Sequence, residues 1–153
     1  MTDFTTIRDL VLATERIATA GQPTADQFAS IREAGYPIVV NLALSTSTGA
    51  LPNERELVES EGLEYVHIPV DWQRPSPDDV DAFFALMDAN RERRVFVHCA
   101  LNNRASAFVY LYRRIRDGIP DRDASEAMYR VWMPFDQWAD LVDSTLTRFG
   151  LSG

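Results

Sequence analysis

Three short runs rich in β-branched and apolar residues, at 37–44, 65–70 and 94–99, are separated by segments with helical periodicity. No other feature constrains the fold as much. Strands joined through helices pair in parallel with right-handed crossovers, which gives a layered α/β sheet. A fourth short run at 16–19 precedes the turn chemistry of Gly21-Gln22-Pro23-Thr24. Thr24 suits the N-cap of an amphipathic helix through Phe28 and Ile31 that ends at Gly35. A small-residue loop spans 45–52, and Asn53 opens a charged helix toward Gly62. Ser76-Pro77-Asp78-Asp79 resembles a capping box, opening a helix that carries Phe83, Phe84 and Met87. An apolar stripe then runs from about Arg104 through Phe108, Tyr110, Leu111 and Ile115 to Gly118, and helices are expected near 124–131 and 135–149. The expected fold class is α/β, a central, mostly parallel sheet flanked by helices, in a single domain over 1–153.

In such sheets ligands collect at the carboxyl ends of the strands, and Cys99 ends the third run. An apolar strand, Val95-Phe96-Val97-His98, delivers this cysteine to a short turn, and a helix begins immediately after it. A free thiol is only a few per cent ionised at neutral pH. A helix N-terminus offers unpaired amides and roughly half a positive charge, and Arg104 adds a full one. Both favour a thiolate, and both suit a tetrahedral oxyanion. A thiol serving this purpose is expected to be accessible.

Charge and composition narrow the partners. The formal net charge is -8, which excludes nucleic acid as a bulk partner because backbone binding needs a basic stripe. The run Arg91-Glu92-Arg93-Arg94 reads as a solvated helix end. A small anion remains compatible, since a nest of amides and one Arg hold phosphate on an acidic protein. No apolar stretch is long enough for a membrane span, and the N-terminus lacks the pattern of a signal peptide. One cysteine allows no internal disulfide and no Cys-based zinc site, and with only His67 and His98 no metal or cofactor is expected. A cytoplasmic location is the natural expectation.

His98-Cys99 at a strand end, followed by Arg104 and Ser106 entering a helix, resembles the cysteine-dependent protein tyrosine and dual-specificity phosphatases. The closer resemblance is to their bacterial DUF442, or beta-lactamase-hydrolase-like, branch, and it covers nearly the whole chain. Thr19-Ala20-Gly21-Gln22-Pro23 resembles that branch's "SGQP" turn, Val39-Val40-Asn41-Leu42 its "VINL" strand, and 63–70 the strand before its acid loop. The resemblance implies a tyrosine-phosphatase-like fold of the dual-specificity type and a phosphorylated small molecule or phosphoprotein as partner. It further implies that Cys99 is the nucleophile, passing through a thiophosphate intermediate. Residues Ala100, Leu101, Asn102, Asn103, Arg104, Ala105 and Ser106 would then bind phosphate, with His98 fixing the loop. The family's general acid is an aspartate from the loop before the cysteine strand. Asp71, Asp78 and Asp79 are the candidates; Asp71 is favoured because it follows the strand end directly, whereas Asp78 and Asp79 are explained by helix capping.

The chain departs from the phosphatase signature in one respect: four residues, not five, separate Cys99 from Arg104, and none is Gly. Asn102 or Asn103 is then expected to supply a left-handed turn. Rhodanese-like sulfurtransferases commonly share the four-residue spacing, so a persulfide on Cys99 is an alternative chemistry. A degenerate domain that only binds phosphate or phosphopeptides is a third. Trp132-Met133-Pro134-Phe135 and Trp138 suit core packing of the last helices better than a substrate wall.

Overall fold

The computed structural model describes residues 3–151. Its centre is a five-stranded sheet in the order β1-β2-β5-β3-β4. The strands are β1 (Val11–Leu12), β2 (Ile17–Ala20), β3 (Ile38–Asn41), β4 (Glu64–His67) and β5 (Val95–His98). Only β1 runs antiparallel, against β2; the β2–β5, β5–β3 and β3–β4 pairs are all parallel. The two-residue β1 has no periodicity to be read from and was absent from the sequence expectation. The three inner strands, β2, β5 and β3, are buried on both faces, which is why β5 and β3 read as continuous apolar runs.

The helices are α1 (Gln27–Glu33), α2 (Glu54–Ser60), α3 (Pro77–Ala89), α4 (Asn103–Ile115), α5 (Asp121–Tyr129) and α6 (Asp136–Arg148). The sheet's two-residue period divides the core between its faces. Ile17, Ile38, Val40, Val95 and Val97 pack with apolar residues of α3, α4, α5 and α6. Ala18, Ala20, Val39 and Phe96 pack on the other face with Phe28 and Ile31 of α1 and Val58 of α2. Each fully buried Val, Ile or Phe contributes about 1.5–3 kcal/mol, so these alternations fix the strand register firmly.

The expected capping box is present: Ser76 Oγ accepts from Asp79 N–H, and the Asp79 carboxylate accepts from Ser76 N–H. Thr24 departs from expectation. The helix starts later, with Asp26 preceding it, because Thr24 C=O is taken by a turn to Gln27 N–H. Only the reciprocal half of a cap forms at Thr24, whose N–H donates to Gln27 Oε1 at 2.9 Å. Among the described residues, no helix is long and apolar enough to cross a membrane.

Candidate active site

The carboxyl ends of the parallel strands carry the site, and the alternation along β5 sorts its residues. Cys99 falls on the face covered by α3–α6, while His98 falls on the α1–α2 face, where Glu54 lies. The Cys99 thiol is therefore enclosed: the residue has 0% of its surface exposed. This corrects the expectation of an accessible thiol. The same two-residue period that brings the cysteine to the strand end turns it into the apolar core.

The turn at 19–23 shapes the loop that follows. Cys99 N–H donates to Ala20 C=O at 3.2 Å, and Gln22 N–H donates to Ala100 C=O at 3.0 Å. Gly21 faces Leu101 in an antiparallel bridge. A Cβ on Gly21 would lie 2.7 Å from the Ala100 carbonyl oxygen, so the close approach of the two backbones requires glycine. Asn102 adopts φ 71°, supplying the left-handed residue that the loop lacks a glycine for. Its Nδ2 donates to Asp9 C=O at 2.8 Å and to Thr19 Oγ1 at 3.1 Å. Loop and turn are thus locked residue against residue.

Helix α4 begins at the next position. Its first intrahelical bond runs from Ser106 N–H to Asn102 C=O at 2.9 Å. The N–H groups of Asn103, Arg104 and Ala105 are left without helix partners, and Asn102 provides no side-chain cap. This is an electropositive helix end of the kind that binds anions. The Arg104 guanidinium is buried and reaches across the strand ends. Its Nη1 donates to Val70 C=O at 2.9 Å and its Nη2 to Ser47 Oγ at 3.5 Å. Both partners are neutral oxygens, so its charge is not spent on a carboxylate there, and a guanidinium has five N–H donors.

The other predicted residues are distributed unevenly. Asp71 is half-buried, one residue beyond the carbonyl that holds Arg104, and its Oδ1 accepts from Gln73 N–H at 2.9 Å. Asp79 is committed to the α3 cap, and Asp78 is exposed in the same first turn. The Ser106 hydroxyl donates to Asn103 C=O and accepts from Trp132 Nε1, each at 3.1 Å, so it ties α4 to the segment before α6. Among the loop residues, Leu101 is 49% exposed, whereas Asn102, Arg104 and Ala105 are buried. Trp138 is core, as expected, and Trp72 stacks on it at 5.5 Å between ring centroids. Trp138 Nε1 and Gln137 Nε2 both donate to Trp72 C=O at 3.0 Å, pinning the Asp71 loop to α6. Met133 is exposed rather than packed, at 70%, and Phe135 is 57% exposed although its ring meets Trp72 and Trp132 edge-on.

Two polar residues of the site escaped the sequence reading. Glu54 Oε2 lies 2.6 Å from His98 Nε2, and Gln22 Nε2 donates to Glu54 Oε1 at 2.8 Å. All three are buried. Burial alone would push the Glu54 carboxyl up; the hydrogen bond and charge of His98, with the bond from Gln22, override it and hold the carboxyl below its ordinary value. Nearby, burial raises the Tyr65 phenol to about 12 against its hydrogen bond from Asn41, with the Glu54 charge adding to the rise. Glu54 sits among other charged residues in its helix. Its only signal is helical spacing: it lies four positions before Val58, on the stripe that α2 buries.

Comparison with known proteins agrees with this fold. A DUF442 protein of Shewanella putrefaciens CN-32, proposed to be a phosphatase, superimposes with a TM-score of 0.88 at 36% identity, over 96% of this chain and 97% of that one. The beta-lactamase hydrolase-like protein of Xylella fastidiosa is 32% identical over 120 residues, which is 74% of this chain and 27% of that protein. The chain thus spans about a quarter of the length of the curated relatives it matches. TpbA of P. aeruginosa, solved in complex with phosphotyrosine, shares the fold at a TM-score of 0.63 and 16% identity, over 95% of this chain and 93% of that one. Residues 8–136 match the family described as a DSP-PTPase phosphatase fused to NAD+ kinase, and the chain belongs to that family.

Proposed function

We propose that this chain is a cysteine-dependent phosphomonoesterase acting through Cys99, within a single phosphatase-like domain. The observation that carries the reading is the convergence at one sheet edge of Cys99, the uncapped amides of α4 and the Arg104 guanidinium. A phosphoryl group in flight needs donors around its equatorial oxygens. The N–H groups of Asn103, Arg104 and Ala105, with the free guanidinium donors, are of that kind; Ala100, Leu101 and Asn102 complete the loop. In this mechanism the Cys99 thiolate attacks phosphorus as the P–O bond to the leaving group breaks. Asp71 gives its proton to the departing oxygen. Water, deprotonated by Asp71, then cleaves the S–P bond, returning the thiolate and releasing phosphate. Because Cys99 is enclosed, local side-chain motion must admit the substrate while the backbone clamps hold the loop. A phosphorylated tyrosine or a similar monoester is the substrate class favoured, supported by the phosphotyrosine bound to TpbA.

The four-residue spacing between Cys99 and Arg104 favours one competing reading, a Cys99 persulfide in sulfur transfer. One pair of assays separates them: phosphate release from an aryl phosphate, and thiocyanate formation from thiosulfate and cyanide. The expected result is phosphate release that Cys99→Ser abolishes and Arg104→Ala lowers about 10²–10³-fold. Thiocyanate formation without Cys99-dependent phosphate release would replace the phosphatase with a sulfurtransferase. Silence in both assays, with phosphate bound at the loop, would leave a binding module.

A further inference from the structure

The buried polar chain behind the loop has no part in the chemistry above, and its geometry is specific. His98 presents both ring nitrogens to oxygen atoms: Nε2 to the Glu54 carboxylate at 2.6 Å, and Nδ1 to the Cys99 carbonyl at 3.2 Å. At 2.6 Å a carboxylate oxygen and a ring nitrogen must share a proton, since two lone pairs would repel. The same holds at Nδ1, which faces a carbonyl oxygen, so the ring carries a proton on each nitrogen, the one on Nε2 imposed by Glu54. Glu54 is itself held. Gln22 donates to its second oxygen at 2.8 Å and, through the same amide nitrogen, to Pro23 C=O at 3.0 Å. Gln22 belongs to the turn whose backbone also bonds Cys99 and Ala100. The closed circuit runs from the turn through Gln22, Glu54 and His98 to the Cys99 carbonyl, and back to the turn through Cys99 N–H.

We propose that Glu54 is a positioning residue for Cys99: its carboxylate fixes the Nε2 proton and the ring plane of His98, and Gln22 fixes the carboxylate. The proposal rests on the Cys99-centred reading above, but its spectroscopic consequences do not require turnover. A second-layer carboxylate orienting a histidine is a general device for holding a site within a few tenths of an ångström of its working geometry. The other titratable groups facing this pair are Tyr65 and His67 of β4, and the His67 ring bonds Ala43 C=O, not Glu54.

Glu54→Gln tests it with little change in volume. Its amide can donate to His98 Nε2, which removes the reason for the Nε2–H form. With only two histidines in the chain, a long-range ¹⁵N–¹H spectrum of the imidazoles reads each ring, and His67 serves as the control. The wild type is expected to show a protonated His98 Nε2. In Glu54→Gln the Nε2 proton is lost while Nδ1 keeps its own, the Cys99 carbonyl ¹³C shift changes, and His67 keeps its proton on Nε2 against Ala43 C=O. On an aryl phosphate kcat falls about tenfold while KM stays within about twofold, the lower end of what a positioned group contributes. Gln22→Met should keep the Nε2 proton and give a smaller fall in kcat. An unprotonated Nε2 in the wild type, or a retained Nε2 proton with an unmoved carbonyl shift in Glu54→Gln, would overturn the proposal. So would a kcat loss that merely tracks a lowered melting temperature. Absence of Cys99-dependent turnover in the wild type would instead remove the phosphatase reading, leaving the spectra to judge Glu54.

Discussion

The loop that carries Cys99 and the loop that carries Asp71 lie at the same edge of the sheet but are held in opposite ways. Residues 99–104 are clamped by partners distant in sequence: the turn at 19–23, Asp9, Val70 and Ser47. The Asp71 carboxylate accepts from its own loop, at Gln73 N–H, and the loop's long-range anchor is Trp72 C=O, held by Trp138 and Gln137. A nucleophile and its oxyanion donors gain from being fixed before reaction, because preorganised dipoles need not reorient as charge develops. A proton donor must reach the leaving group and then a water, so a local tether suits it better. On the proposed reading, one site would use long-range clamps where charge is stabilised and a local tether where a proton is delivered.

The largest effect that tests this contrast is Asp71→Asn. Loss of general acid catalysis should lower turnover about 10²–10⁴-fold on alkyl phosphates and far less on activated aryl phosphates, whose leaving groups need no proton. Equal losses on both substrate classes would remove Asp71 from the mechanism. A selective loss on substituting Asp78 instead would move the role to that residue.

The clamp on the other loop can be broken at Gly21. The added Cβ of Gly21→Ala meets the Ala100 carbonyl, part of the backbone and unable to swing aside. A cost of about 1–3 kcal/mol is expected, read as a fall of about 2–4 °C in melting temperature per kcal/mol for a chain of this size. A variant with unchanged melting and unchanged activity would show that turn and loop are not packed as described.

Glu54 gives the contrast a pH dependence. Its carboxyl is held below the ordinary value of 4.5 in the folded chain, so folding favours its charged form. The stability this contributes is fully present above pH 4.5 and is lost as pH falls through the lower folded value. Glu54→Gln should therefore be less stable than the wild type near neutrality, by about 1.5–3 kcal/mol for hydrogen bonds to a charged group. The two denaturation curves should converge below the ordinary carboxylate range, and a gap that stays constant in acid would contradict the buried pair.

The smallest expected effect lies on the Asp71 side. Gln137→Met keeps the side-chain volume but removes one of the two bonds to Trp72 C=O. A loss of about 0.5–1.5 kcal/mol is expected in chemical denaturation, with turnover falling most on the substrates that depend on Asp71. Equal loss on all substrates would mean that the tether serves stability alone.

What the amino-acid sequence determined by itself is whatever short-range physics encodes. Apolar runs between helical segments specify a parallel layered sheet, and Ser76 with Asp79 specifies the start of α3. A loop without glycine points to Asn102 or Asn103 for the left-handed position, which Asn102 takes, and the β5 run specifies that Cys99 meets a helix N-terminus. Tertiary structure alone decided the rest. It set the strand order that places β5 between β2 and β3, and the short antiparallel β1. It also turned Cys99 inward and Arg104 toward Val70, and it brought Glu54 beneath His98. His98 and Glu54 are 44 positions apart, and Arg104 and Val70 are 34 apart. Periodicity and turn chemistry describe a residue's neighbours within a few positions. Which carboxylate meets which ring across a sheet depends on the crossovers that order the strands, and no local pattern in this chain carries that information.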